Sequence, residues 1–214
     1  MHILWDWNGT LLDDTPACVA SLNIMLSRRG IAPVTMQFFR ENFAFPARRF
    51  YKLVGMEVPD EEWEDLAREY HRTYLAQDVS LNRDSVEALS RVQRAGAKQS
   101  ILSALRQDLL QENIERFRLG GYFEYVFGSD NLDGGSKLSR ALELFPLIGD
   151  DEIVLIGDSL HDKEVADALG IRCVLVSCGS HSYERLAAVA PTAHDLLEAV
   201  LMLTESLSRK ETIK

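Results

Sequence analysis

The 214 residues suit one domain of moderate size, or a core carrying a smaller inserted domain, and the 46% hydrophobic content supplies a sizeable core and disfavours disorder. With 33 acidic against 23 basic residues the formal net charge is −10; that sign repels phosphate backbones and anionic lipid, so no nucleic-acid or membrane role is expected, while a local positive site could still hold a small anion. Cys18, Cys173 and Cys178 are odd in number and lack C-x-x-C spacing, which argues against a disulfide framework or a zinc site and fits a reducing compartment.

The opening residues lack the basic and long apolar regions of a signal peptide, and no apolar run approaches the ~18 residues that span a bilayer. A cytoplasmic protein is therefore the expectation. Ile3-Leu4-Trp5 reads as a short buried strand ending on the carboxylate of Asp6, followed by the turn signal Asn8-Gly9. Thr15-Pro16 then predicts a helix N-terminus, with Thr15 as cap, and Gly30 its stop. Helical patterns continue over 36–42 and 46–54, and in a helix after Pro59 where Trp63, Leu66, Tyr70 and Tyr74 recur at helical spacing. No strand pattern lies between Leu12 and about Leu81.

From Ser85 onward helices alternate with short apolar strands: 99–103, 124–127, 152–157 and 173–176. This alternation predicts an α/β fold, a doubly wound parallel five-stranded sheet with helices on both faces. The expected division is a core of residues 1–13 and 83–214 interrupted by an all-helical insertion over 14–82. An insertion hinged beside a strand-end carboxylate is placed to act as a lid.

Four places carry chemistry-bearing residues. Asp6 is either a nucleophilic carboxylate or the acceptor of an Asx turn. Ser103, closing the second core strand, either donates to a phosphate oxygen or caps the next helix. Lys137 sits in the first turn of a helix predicted from Ser136, where the dipole disfavours a cation, so a partner anion competes with an ordinary surface position. The run Ile153–Asp162 ends a strand on Asp158 and places Asp162 four residues on, either as oxygen ligands for a hard cation or, for Asp162, as the capping-box partner of Ser159.

In this order, D-W-N-G-T (6–10), Ser103, Lys137 and G-D-S-L-H-D (157–162) resemble the motifs of the haloacid dehalogenase superfamily of phosphohydrolases, and the helical insertion resembles its first cap type. The chain is most similar to the phosphoglycolate phosphatase-like branch. The resemblance implies a Mg²⁺-dependent phosphatase acting on a small phosphorylated metabolite. Asp6 would be nucleophile and metal ligand, with the backbone carbonyl of Asn8, Asp158 and Asp162 as further ligands. Gly9, Ser103, Ala104 and Lys137 would line the phosphoryl site, and Arg49 (or Arg48) would reach an anionic group of the substrate, against the plainer reading of a solvated helix face. One departure stands out: where the family's phosphatases usually carry a second Asp as acid and base, this chain has Asn8, which cannot exchange a proton. A slow phosphatase, a phosphotransferase and a non-catalytic phospholigand binder all remain open on these residues.

Overall fold

The computed structural model describes residues 1–129 and 137–211. Its strands are β1 (His2–Trp5), β2 (Leu12–Asp13), β3 (Ser80–Leu81), β4 (Lys98–Arg106), β5 (Tyr125–Ser129), β6 (Ile153–Gly157), β7 (Arg172–Val176) and β8 (Thr192–Ala193). The helices are α1 (Thr15–Arg28), α2 (Met36–Asn42), α3 (Ala47–Leu53), α4 (Trp63–Leu75), α5 (Ser85–Arg94), α6 (Gln107–Arg116), α7 (Lys137–Ile148), α8 (Leu160–Leu169), α9 (Tyr183–Ala187) and α10 (Leu196–Glu211). The expected start of α7 at Ser136 lies outside the described residues.

The main sheet runs β5-β4-β1-β6-β7-β8, with every pairing parallel. It therefore has six strands where five were expected. The sixth, Thr192–Ala193, is a two-residue edge strand, too short to show an alternating pattern. Strand β1 lies at the middle and is buried along its whole length. Successive side chains of a strand point to opposite faces. Accordingly Ile3 and Trp5 pack with α5, α6 and α10, while Leu4 packs with α7, α8 and α9. Trp5 is wholly buried and donates its indole N–H to Gln99 Oε1 at 3.0 Å. Burial of each such large side chain stabilises the fold by about 2 kcal/mol.

Helices α1–α4 bury a separate cluster that includes Val19, Leu22, Met25, Phe39, Phe50 and Leu66. The chain leaves and re-enters the sheet region through β2 and β3, which pair antiparallel as Leu12↔Leu81 and Asp13↔Ser80. The segment expected to be wholly helical is thus framed by a short two-stranded ladder. At the start of α1 the cap residue is Asp14 rather than Thr15, and its carboxylate makes no capping bond. Among the described residues no helix is long and apolar enough to cross a membrane.

Candidate active site

Strand order brings the site together. Trp5 is in register with Ile101 of β4 and with Ile156 of β6. Asp6 follows Trp5 directly, Ser103 lies two residues beyond Ile101, and Asp158 two beyond Ile156. Residues far apart in sequence therefore emerge at the same carboxyl edge of the sheet, where open α/β sheets bind ligands.

Asp6, Asp158 and Asp162 are all buried, and one carboxylate oxygen from each lies within 4.8 Å of the other two. Lys137, the first residue of α7 and itself 3% exposed, donates to Asp6 Oδ1 at 2.6 Å and also to Asp162 Oδ1. Burial pushes the Asp6 carboxyl well up; Lys137 opposes that rise and the other two acids reinforce it. Asp158 is pushed up to about 6, first by burial and then by Asp162. Burial acts on Asp162 too, but Lys137 and Ser159 outweigh it and hold its carboxyl down. Burial alone would lower the ammonium of Lys137, yet Asp162 and Asp6 raise it overall. Among the described residues, three buried acids thus share one buried ammonium. That leaves a net negative cluster of hard oxygen donors, a set that fits Mg²⁺, which binds through one or two carboxylates plus water and substrate phosphate.

Asp162 is the capping-box partner of Ser159, as expected, and its second oxygen faces the acid cluster. Its Oδ2 accepts from Ser159 N at 3.0 Å, completing a capping box on α8, while Oδ1 faces Lys137. Asp158 Oδ2 accepts from both Ser180 N and Ser180 Oγ at 2.6 Å. Thr10 Oγ1 donates to Asp6 Oδ2 at 3.4 Å and lies 3.5 Å from Asp158 Oδ1. Gly9 has φ +74°, and a Cβ there would collide with the Asp158 carboxylate, so the turn needs glycine.

Asn8 does not turn its side chain toward the acids. Its Nδ2 donates to Asp14 Oδ2 at 2.7 Å and lies 3.2 Å from Tyr74 Oη. Asp14 also accepts from Tyr74 Oη and from Gly9 N, each at 2.7 Å. Burial raises the Asp14 carboxyl, with these three donors opposing.

Ser103 is buried and lies in an irregular part of β4 instead of closing the strand. The β4–β5 register shifts between Leu102 and Arg106, and Ser103 Oγ accepts from Leu105 N at 3.0 Å. It does not cap α6, which starts at Gln107. Asp6, Asn8, Gly9, Ser103, Ala104, Lys137 and Asp158 all line one cavity of about 610 Å³. Arg49 does not: it is exposed, and its neighbour Arg48 lines the cavity instead. Three participants escaped the sequence reading, Asp14, Tyr74 and Ser180, and Thr10 stood in the quoted 6–10 motif without a role. The available signal for Asp14 was a second acid beside Asp13 at a helix start; Ser180, in a loop after β7, offered none.

The family model for haloacid dehalogenase-like hydrolases matches residues 3–176. The chain is 25% identical over 206 residues to phosphoglycolate phosphatase 1 of Pseudomonas aeruginosa, covering 89% of this chain and 74% of that protein. It is 29% identical over 187 residues to a phosphoglycolate phosphatase of Caulobacter vibrioides, covering 83% and 79% respectively. Its fold resembles that of a predicted phosphatase from Clostridium acetobutylicum, with a TM-score of 0.79 at 19% identity, covering 95% of this chain and 98% of the other.

Proposed function

Because the chain belongs to the haloacid dehalogenase-like hydrolases, we propose that it is a phosphatase that moves the phosphoryl group of a small phosphorylated metabolite to Asp6 and then to water. The observation that carries this reading is the buried Lys137, held between Asp6 and Asp162 at the mouth of the sheet. An ammonium there opposes the rise that burial imposes on the Asp6 carboxyl and meets the charge that gathers on phosphoryl oxygens in transfer. The names of the relatives support a phosphate ester as substrate.

The remaining groups take roles by their geometry. Ser103 Oγ already accepts from Leu105 N, so its proton is the part left to donate to a phosphoryl oxygen. Ser180 fixes the Asp158 carboxylate through two bonds to one oxygen. Mg²⁺ held by Asp6, Asp158, Asp162 and the carbonyl of Asn8 would offset repulsion between an anionic nucleophile and an anionic substrate. Residues 14–82 act as a cap over this edge, connected through β2 and β3.

Release of inorganic phosphate from a panel of phosphate esters, with and without Mg²⁺, tests the reading. The expected result is Mg²⁺-dependent release that is lost in Asp6→Asn. Release indifferent to Asp6 would sink it. Asn8 favours one second reading, a phosphotransferase whose acceptor or substrate supplies the proton; product analysis for a transferred phosphoryl group separates the two.

A further inference from the structure

The cavity that holds Asp6, Lys137 and Asp158 at one end is aromatic at the other. Phe39, Phe43, Phe45, Phe50, Tyr51 and Trp63 all line it. The four phenylalanines form one connected assembly, and Tyr51 and Trp63 meet as a second pair with centroids 5.8 Å apart. Phe39 and Phe43 stack with centroids 4.7 Å apart, Phe50 meets both edge-on at 5.4 Å, and Phe45 meets Phe43 edge-on at 5.2 Å. Phe45 also lies 5.3 Å from the ring of His161 on α8, one residue before Asp162. The aromatic wall therefore reaches from the α1–α4 bundle to the edge of the acid cluster.

Among the described residues, the arginines and the lysine along the same wall each face an acid. Arg48 faces Asp60 at 2.6 Å and lies over the Trp63 ring at 5.1 Å. Arg106 is forked by Asp108 at 2.5 and 2.7 Å. Lys137 is held by Asp6 and Asp162. A substrate carrying a carboxylate beside its phosphate would have to compete with these acids, most easily at Arg48, whose pairing with the 90% exposed Asp60 side chain is screened by solvent. An apolar ring would not.

The residue at position 8 selects in the same direction. Asn8 has no proton to give and its amide is committed to Asp14. An ester whose alcohol leaves as a stable anion needs no such proton. A phenol ionises near pH 10, as tyrosine does, roughly six units below water.

Resting on the phosphatase reading, we propose that the substrates are aryl phosphates, with the phenolic ring seated among Phe43, Phe45, Phe50 and Trp63. In the first step an Asp6 oxygen bonds to phosphorus as the bond from phosphorus to the aryl oxygen breaks, its electron pair leaving on the phenolate. The phenolate takes a proton from solvent. In the second step water bonds to phosphorus and releases a proton to solvent, matching the one the phenolate took, the Asp6 carboxylate departs with its electron pair, and the net products are the phenol and hydrogen phosphate.

Aryl esters are intrinsically easier to cleave, so the test uses phosphonates, which have no leaving group. Benzylphosphonate replaces the bridging oxygen of phenyl phosphate with carbon, and phosphonopropionate does the same for phosphoglycolate. Both are titrated as inhibitors of Mg²⁺-dependent acetyl phosphate hydrolysis. The expected result is that benzylphosphonate inhibits at a concentration about tenfold or more below phosphonopropionate, the gain for burying a ring. In Phe45→Ala, a change at a side chain 43% exposed, that ratio narrows by about threefold or more. Equal or tighter inhibition by phosphonopropionate, or a ratio unmoved by Phe45→Ala, overturns the aryl assignment and leaves the phosphatase standing. Absence of Asp6-dependent hydrolysis of acetyl phosphate and of phenyl phosphate overturns both.

Discussion

Asn8 Nδ2 donates to Asp14 Oδ2 at 2.7 Å, so the residue that replaces the expected acid is itself bonded to a buried acid. Exchanging the amide for a carboxyl in Asn8→Asp would set two carboxyls at hydrogen-bond distance. Such pairs share one proton, which raises one of their pKa values. The variant would then carry a usable acid near neutrality. Turnover on alkyl phosphates should rise by about tenfold or more, general acid–base help being worth about 10²–10⁴-fold, with little change on aryl esters. The same proton makes stability pH-dependent. A carboxyl whose folded pKa lies above its unfolded one costs stability as pH rises between them, so Asn8→Asp should be less stable relative to the parent at pH 8 than at pH 5. Steady-state rates on paired alkyl and aryl esters, with urea unfolding at both pH values, decide this; a folded variant with no gain on alkyl esters counts against it.

Lys137 is 3% exposed and bonded to two buried carboxylates. Lys137→Met removes the ammonium and leaves the acids facing each other. Breaking a buried ion pair from one side costs about 3–5 kcal/mol, equivalent to a fall in Tm on the order of 10 °C for a chain of this size. The folded pKa of Lys137 lies above its ordinary value, so its contribution is complete at neutral pH and lost only in strong alkali. Thermal unfolding of both proteins at pH 7, without added metal, should show the deficit. It should shrink in acid, where the carboxyls take up protons. A deficit of only a degree or so would mean the acids find other partners.

Arg40 of α2 donates through Nε to Gly179 O at 2.9 Å and through Nη2 to Cys178 O at 3.1 Å, gripping the loop whose next residue, Ser180, holds Asp158. Gly179 packs so closely against the Asp158 carboxylate and Gly9 O that a Cβ has no room. The loop is thus fixed from both sides. A misplacement of about 1 Å at a reacting centre can cost about 10²-fold. Arg40→Ala should lower kcat/KM by roughly tenfold or more without unfolding the protein. Arg40→Lys should not restore it, because a single ammonium cannot span two carbonyls as the guanidinium does. Full activity in Arg40→Ala would remove the loop from the list of positioning elements.

Asp6, Lys137 and Asp158 were legible because each sits at a boundary that hydrophobic patterning marks: two strand ends and a helix start. The edge strand Thr192–Ala193 was not, since two residues cannot display a period. Arg48 and Arg49 differ by about 100° around a helix, and a seven-residue helix such as α3 does not reveal its rotational phase from sequence. Asp14 stands beside Thr15, the expected cap, with no spacing that marks it for the site, and only the fold shows its carboxylate turned back onto Asn8 and Gly9. The helically spaced Trp63, Tyr70 and Tyr74 read as core for the insertion. Trp63 and Tyr70 do pack there, but all three line the cavity, a distinction that spacing cannot make.

The acid cluster makes a further prediction about metal and pH. In the metal-free protein Asp158 titrates near 6 and Asp6 well above its ordinary value, both because burial disfavours their charged forms. Folded values above unfolded ones mean that these two groups cost stability as pH rises from about 4 through 6, with the Asp158 cost complete above that. Asp162, held down by Lys137 against its burial, has the opposite sign, and its contribution is lost only below its ordinary carboxyl range. Mg²⁺ competes with the protons for the same oxygens, so its apparent affinity should fall by about tenfold for each pH unit below 6 per proton displaced. At pH 8, saturating Mg²⁺ should raise Tm, since a ligand at 100 times its Kd adds about 2.7 kcal/mol. At pH 5 about half of that rise should vanish for one displaced proton, the affinity being about tenfold weaker there. Asp158→Asn should weaken Mg²⁺ binding at pH 8 and flatten the dependence, because it removes the group that titrates near 6. Melting curves across pH 5–8, with and without Mg²⁺, read all of this directly. A Mg²⁺ shift of the same size at both ends of the range would mean that the cation, if it binds, does so away from Asp158.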